Sequence, residues 1–349
     1  MSRRAIMDNT VLVLGARGRL GGAVAQAFAA AGWRVLAQRR SGGIPAVAGG
    51  GIEWVQSKAA DTATLQRAAA GARVVVHAMN PAYTAAAWRA EAPGLMQSAT
   101  DVAAALGAHL LFPGNVYNFG AGMPAVLAPD TPQRPTTGKG LIRVDLEQQL
   151  AQAARHHGFA ATVIRAGDFF GAGSGSWLDQ VIVKKLPQGR VTWPGSRDAP
   201  HAWAYLPDLA RAFVRVAETT PAPAGASFEC LHFAGHTVTG QDWLAALTDV
   251  AWEQGWLPAD GALRTGTLPW GMMRLLSPFN ATVASLLEMR YLWDLPHALD
   301  GAALARRIGS EPHTPFGDAV RTAILALDLG PRGANAAGPR TGGTVAQGA

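Results

Sequence analysis

Short apolar runs alternate with alanine-rich amphipathic stretches through the first 165 residues. Val11–Leu14, Arg34–Gln38, Ile52–Val55, Arg73–His77, Ala108–Phe112 and Ala161–Arg165 are too short for buried helices and read as strands. Between them, Ala23–Ala31, Asp61–Ala70, Gly94–Leu106 and Lys139–His157 carry helical spacing, with Asp61 placed to cap its helix. Alternating β and α units with nearly continuous apolar strands predict a parallel sheet covered by helices on both faces, the doubly wound α/β arrangement.

The first strand meets the first helix through Gly15-Ala16-Arg17-Gly18-Arg19-Leu20-Gly21-Gly22, with the spacing G-x-x-G-x-x-G. Glycine lets the backbone turn sharply and approach a pyrophosphate with no Cβ in the way. The helix N-terminus beyond it offers free N–H groups and the positive end of the helix dipole. In this strand–turn–helix context the fold is expected to be Rossmann-type, and Gly15, Arg17, Gly18, Arg19, Leu20 and Gly21 are candidate cofactor-binding residues. The second strand ends in Gln38-Arg39-Arg40, where an NAD site places an acid for the ribose 2′-hydroxyl. No Asp or Glu occurs between Gly15 and Gly51. Arg17, Arg39 and Arg40 offer guanidinium forks suited to a 2′-phosphate instead, so NADP(H) is expected ahead of NAD(H).

After Arg165 the texture changes. Gly167–Gly175 is a glycine-rich loop, Trp177–Leu186 reads as a helix, and His201–Leu206 leads into a helix ending near Glu218. Phe228–Phe233 reads as a strand, and residues 240–300 hold helices with Trp243, Trp252, Trp256, Trp270 and Trp293. The expected organisation is a dinucleotide-binding core over 1–166 and a smaller substrate lobe over 167–329, some of whose elements return to the core. A disordered Gly/Ala/Pro/Thr tail is expected over 330–349.

Composition narrows the function class. Of 349 residues, 49% are hydrophobic and 15% charged, enough for a large core. The net charge of +6 comes from arginine, since Lys58, Lys139, Lys184 and Lys185 are the only lysines. The basic residues are scattered without interleaved aromatics, which argues against nucleic acid and leaves an anionic cofactor as the use for local positive charge. Cys230 is alone, so no internal disulfide forms, and its strand-like setting reads as a buried, inert thiol. No apolar run reaches the roughly 18 residues of a membrane span, and Met1–Thr10 lacks a signal-type segment, so no membrane partner and a cytoplasmic location are expected. No metal site is expected: the rings of His156 and His157 diverge on a helix, and His232 and His236 lack acid or cysteine partners. No nucleophile elbow or G-x-x-x-x-G-K-[ST] loop is present.

The order of signals resembles the extended, epimerase/dehydratase-like branch of the short-chain dehydrogenase/reductase superfamily. The resemblance rests on Gly15–Gly21, Asp61 with Leu65, Val75-Val76-His77-Ala78, Val116-Tyr117 and the helix around Glu147. It continues through Arg165-Ala166-Gly167 with Phe170-Gly171, and Tyr205-Leu206-Pro207-Asp208-Leu209-Ala210, covering about residues 10–328. It implies a nicotinamide cofactor, with Asp61 among the cofactor residues, and a homodimer through helices near residues 94–107 and 139–157. The superfamily's Tyr-x-x-x-Lys pair is absent, because Ala87, Ala121, Leu209 and Leu295 follow the four tyrosines. Anchoring on Glu147 puts Lys139 at the tyrosine position and Arg143 at the lysine position, while the usual serine falls on Pro113 and an adenine-contacting aspartate is replaced near Lys58.

Carbonyl chemistry still needs a proton source. Tyr117, just past the fifth strand, lies at the edge where parallel sheets place their sites, and with Lys139 as its cation it is the expected catalytic pair. Arg143 cannot readily give up a proton and is read as a ribose or phosphate binder. Ala78 and Asn80 follow the fourth strand and are expected beside the nicotinamide half of the cofactor. Tyr83, Asn115, Asp168, His201 and Tyr205 are candidate substrate residues. The leading expectation is an NADP(H)-dependent oxidoreductase acting on a small organic carbonyl or alcohol. A cofactor-binding redox sensor without turnover and a nucleotide-sugar epimerase or dehydratase are the alternatives.

Overall fold

A computed structural model of the chain describes residues 9–40, 51–220, 225–258 and 260–330. Its strands are β1 (Thr10–Leu14), β2 (Arg34–Arg39), β3 (Ile52–Gln56), β4 (Val74–His77), β5 (His109–Gly114), β6 (Val126–Leu127) and β7 (Ala160–Arg165). They continue as β8 (Asp168–Phe170), β9 (Arg190–Trp193), β10 (His201–Tyr205), β11 (Ser227–His232), β12 (His236–Val238), β13 (Arg264–Thr267) and β14 (Ala298–Leu299). The α-helices are α1 (Arg19–Ala30), α2 (Thr62–Ala68), α3 (Ala85–Leu106), α4 (Gly138–His157) and α5 (Leu206–Glu218). They continue as α6 (Gly240–Glu253), α7 (Trp270–Leu276), α8 (Ala281–Glu288), α9 (Ala302–Ile308) and α10 (Phe316–Leu325).

Seven strands form one parallel sheet in the order β11-β7-β5-β4-β1-β2-β3. Leu12 of β1 pairs with Leu36 of β2 on one side and Val75 of β4 on the other. The chain therefore runs outward through β2 and β3, then returns to the far side of β1. That reversal opens a crevice at the C-terminal ends of β1 and β4. Successive side chains of β1 point to opposite faces. Leu12 and Leu14 pack with Met96, Val102 and Leu150 of α3 and α4, whereas Val11 and Val13 pack with Val24, Phe28 and Phe213 of α1 and α5. Burying each such side chain contributes roughly 1.5–3 kcal/mol, so both faces commit the sheet to its register. The doubly wound fold expected from the sequence is the fold observed.

Two elements differ from the expectation. The helix expected from Gly94 begins at Ala85, because Thr84 accepts the Ala87 N–H at 3.2 Å as its cap, and it continues through Pro93. The helix expected over Trp177–Leu186 is only a wide turn over Leu178–Ile182 and a short 3-10 turn over Leu186–Gln188. Asp179 accepts the backbone N–H groups of Gly175 and Ser176 at 2.8 and 2.6 Å, which ties this turn to the preceding loop.

Beyond β7, α5 packs on α1 and β11 completes one edge of the sheet. The three-stranded sheet β12-β10-β8 adjoins a separate cluster that includes Trp193, Trp203, Trp243 and Phe170. Trp243 and Trp293 are buried core, and Trp252 is exposed. Cys230 is partly buried, and desolvation pushes its thiol up to about 12. Among the described residues no helix is long and apolar enough to cross a membrane. The expected tail lies, past Gly330, outside the described residues.

Candidate functional site

The crevice between β1 and β4 is built by glycines that leave no room for side chains. Gly15 has φ of +78°, and a Cβ there would lie 2.9 Å from the backbone carbonyl of Ala78. A Cβ on Gly21 would strike the Gly15 carbonyl oxygen, so Gly21 serves the close packing of helix on turn rather than lining the crevice. Gln38 fixes the turn from the neighbouring strand. Its Oε1 accepts the Gly15 N–H at 2.9 Å, and its Nε2 donates to the Ser57 carbonyl at 2.6 Å.

A cleft of about 620 Å³ opens there, lined by Gly15, Arg17, Gly18, Arg39, Arg40, Ala78 and Asn80. Arg39 is only partly exposed, and its Nε and Nη1 are buried with no hydrogen-bond partner among the described residues. Arg17, Arg39 and Arg40 line this end of the cleft together with the carboxylate-bearing Glu91. Asp61 is not part of it. Its side chain accepts the Thr64 N–H at 3.1 Å as the N-cap of α2, and hydrogen bonding from the Thr64 hydroxyl, then from its N–H, holds the carboxyl below the usual range.

A second cavity, of about 330 Å³, continues from the cleft across Gly18, Ala78, Met79 and Asn80, which line both. The topology supplies its walls. Arg19 and Leu20 come from the start of α1, Tyr83 from the loop before α3, Asn115 and Tyr117 from the end of β5, and Arg143 from α4. Asp168 enters from the start of β8, and Trp88, Phe112 and Trp177 supply aromatic walls. Arg19 spans the opening, with Nη2 donating to the Gly171 carbonyl at 2.8 Å.

The structure does not make the expected Tyr117/Lys139 pair. Lys139 is fully buried in the first turn of α4, where its Nζ meets Glu288 Oε2 at 2.9 Å and its backbone N–H donates to Glu288 Oε1 at 3.0 Å. The ammonium lies 4.6 Å over the ring of Tyr83. The Tyr117 hydroxyl instead meets the Tyr83 hydroxyl at 3.4 Å, and the Tyr117 N–H donates to Asn115 Oδ1 at 3.0 Å. Arg143, one turn further along α4, lines the same cavity as the two phenols. It sits over Trp88 and Phe112 at 4.9 and 5.4 Å and donates to the Pro113 carbonyl at 3.1 Å. No carboxylate pairs with it among the described residues, and desolvation lowers its pKa. Burial pushes the Tyr83 phenol up to about 12 and Tyr117 well above its ordinary value, with Arg143 acting against both shifts.

Asp168 and His201 meet at 3.0 Å, Oδ2 to Nε2. His201 itself does not line the cavity; it stands behind Asp168, stacked on Trp293 at 4.8 Å. Tyr205 is also away from the cavity. All five residues of β10 are buried, so their alternation marks two packed faces, and the Tyr205 ring packs on Phe170 at 5.2 Å. Sequence reasoning missed Glu288, which is 149 residues from Lys139, and Tyr291, whose buried hydroxyl has no partner among the described residues. No local spacing connects either residue to the site.

The sheet order and the glycine turn define a Rossmann-type α/β protein. The model of the NAD dependent epimerase/dehydratase family matches residues 11–229, and the chain belongs to that family. Among solved structures it is similar to UDP-glucose 4-epimerase from Brucella ovis in complex with NAD, at 19% identity and a TM-score of 0.68, covering 91% of this chain and 97% of that one. A nucleoside-diphosphate-sugar epimerase from Pseudomonas aeruginosa matches at 20% identity and a TM-score of 0.66, with coverage of 91% and 97%. The dTDP-glucose 4,6-dehydratase DesIV from Streptomyces venezuelae, with NAD bound, matches at 17% and 0.65, with coverage of 91% and 96%. No curated relative matches the chain.

Proposed function

We propose that the protein is an NADP(H)-dependent oxidoreductase acting on a small carbonyl or alcohol. The observation that carries this reading is the continuity of cleft and cavity across Gly18, Ala78, Met79 and Asn80. One end is lined by Arg17, Arg39 and Arg40 and the other by phenols. The Gly15 turn and Arg39 fit a dinucleotide whose ribose carries a 2′-phosphate. Arg17, Gly18 and Arg40 would hold the same half, and Asn80 and Asn115 the nicotinamide half. A bound nicotinamide supplies or accepts hydride.

The chain's own residues handle the oxygen. With its pKa raised, Tyr117 stays a neutral O–H donor to a carbonyl oxygen, with Tyr83 beside it. Arg143 places a fixed positive charge where negative charge develops on that oxygen, and lowers the cost of moving the Tyr117 proton to it. Lys139, held by Glu288, positions the Tyr83 ring from behind. A volume of about 330 Å³, near the small end of ligand sites and shared with the nicotinamide, favours a small substrate.

The similar solved structures favour a second reading, nucleotide-sugar epimerisation or dehydration. That chemistry must also house a nucleoside diphosphate, and a cavity of about 330 Å³ shared with the nicotinamide leaves little room for one. Calorimetric titration with NADPH, NADP⁺, NADH and NAD⁺, followed by turnover screens on small aldehydes and ketones and on UDP- and dTDP-sugars, tests both readings. Tight NADPH binding with carbonyl turnover supports the first. Turnover of a nucleotide sugar replaces it with the second, and binding of none of the four dinucleotides sinks both.

A further inference from the structure

The hairpin formed by α7, a 3-10 turn over Ser277–Phe279 and α8 presents large apolar side chains to solvent. Met272, Leu275, Leu276 and Phe279 are 56, 76, 48 and 89% exposed. Met272, Leu275 and Leu276 have the i, i+3, i+4 spacing of one face of α7, Phe279 follows in the 3-10 turn, and α7 has no buried residue. The hairpin is nevertheless held in place. Trp270 Nε1 donates to the Pro194 carbonyl at 2.6 Å, Arg290 lies over the Trp270 ring at 5.5 Å, and α8 ends on the Glu288–Lys139 ion pair. The apolar face is thus fixed outward, away from the body that anchors it.

Its surroundings are cationic. Residues 261–287 contain Arg264 and Arg274 and no Asp or Glu. Arg264 shares a groove with Lys184, Lys185 and Arg190, and β13, which carries it, ends three residues before α7. An outward apolar face beside clustered Lys and Arg is the composition that beds into the headgroup region of an anionic bilayer. We propose that this hairpin docks the protein peripherally on anionic lipid. A second copy of the chain is the poorer occupant, because a symmetric contact brings the same cations together. Four apolar side chains are also few against the roughly 20–30 residues a side of a stable protein interface. This departs from the expectation of no membrane partner, and the docking is peripheral because among the described residues no helix is long and apolar enough to cross a membrane.

Flotation of the full chain with phosphatidylcholine vesicles, with and without phosphatidylserine, tests the proposal. Binding is expected only to vesicles containing phosphatidylserine. It should weaken as salt is raised, and fall about tenfold or more in the Leu275→Asp/Phe279→Asp variant. Lys184→Glu/Lys185→Glu should weaken it as well, and none of these positions lines the cavity. Failure to float with phosphatidylserine, or flotation that Leu275→Asp/Phe279→Asp leaves intact, overturns the proposal. A concentration-dependent dimer that the same variant dissociates also overturns it, by making a second copy the occupant. Circular dichroism and melting of both variants should match the parent, since the replaced side chains contribute little to the core.

Discussion

Asp168 Oδ2 stands 3.0 Å from His201 Nε2, while the other ring nitrogen of His201 is committed to the Leu292 carbonyl at 3.1 Å. A carbonyl can only accept, so Nδ1 carries a hydrogen. The contact with Asp168 ties β8 to β10 through its side chain. An amide at position 168 can donate to a bare Nε2, whereas a methyl group cannot. Asp168→Asn is therefore expected to stay within about 1 kcal/mol of the parent in urea unfolding, and Asp168→Ala to lose about 1–3 kcal/mol. Equal losses in the two variants would mean that a hydrogen bond to His201 contributes nothing to stability.

The cleft's anion preference is tested at Arg39. Its Nε and Nη1 are buried without acceptors among the described residues. Charge-assisted hydrogen bonds are worth about 1.5–3 kcal/mol, so Arg39→Ala should weaken NADPH binding roughly 10- to 100-fold and leave NADH binding nearly unchanged. A uniform loss for both dinucleotides in calorimetry would remove the 2′-phosphate from the account.

Gly21→Ala should destabilise the protein by about 1–3 kcal/mol, because the added methyl group meets the Gly15 carbonyl oxygen rather than a movable side chain. The melting temperature should fall. Dinucleotide affinity should fall with it even under conditions where the variant is folded, since the displaced group belongs to the binding turn.

Arg165 and Glu147 are both buried and meet through two contacts, Nη2 to Oε2 at 2.6 Å and Nε to Oε1 at 3.1 Å. This pair fastens α4 to the end of β7. Removing one partner leaves a buried charge alone, so Glu147→Leu should cost about 3–5 kcal/mol. Denaturant titration followed by tryptophan fluorescence measures the loss.

Buried histidines should make the protein sensitive to acid. Desolvation, then the nearby Arg143 charge, lowers the His77 pKa to about 3 from an ordinary 6.5. Between those values the unfolded chain binds a proton that the folded chain does not, so stability falls as pH drops from about 6.5 toward 3. His109 and His232, each lowered to about 4, add to the same slope. His77→Phe, which keeps a ring against Phe112, should flatten the dependence of unfolding free energy on pH across this window. An unchanged slope would show that His77 contributes nothing to it.

Much of the site was legible because a doubly wound sheet assigns functional positions to strand ends. Tyr83, Asn115, Tyr117 and Asp168 each follow a strand of the core, and Arg143 faces them from the helix after β5. The topology alone brings them to one cavity. Gly15 and Arg39 were legible for the same reason, at the ends of β1 and β2. What local pattern could not reveal was pairing at long range. Lys139 looked free to serve Tyr117, because nothing near it in sequence announces Glu288. Tyr205 looked like a pocket residue because alternation in β10 implies one wet face, and both of its faces are dry. Asp61 carries the expected polar group, but its geometry is spent on capping α2.

The Lys139–Glu288 contact bears on how far the chain can be shortened. The family match ends at residue 229, and a fragment ending after His232 would contain all seven strands of the sheet and the whole of the cleft. It would also take Glu288 and the Ser285 carbonyl from Lys139, and Met289, Leu292 and Leu299 from the core packed by α3 and α4. Dissecting this protein into a minimal nucleotide-binding half therefore creates defects in the half that is kept, and a weak or insoluble fragment would report those severed contacts rather than a poor binding fold.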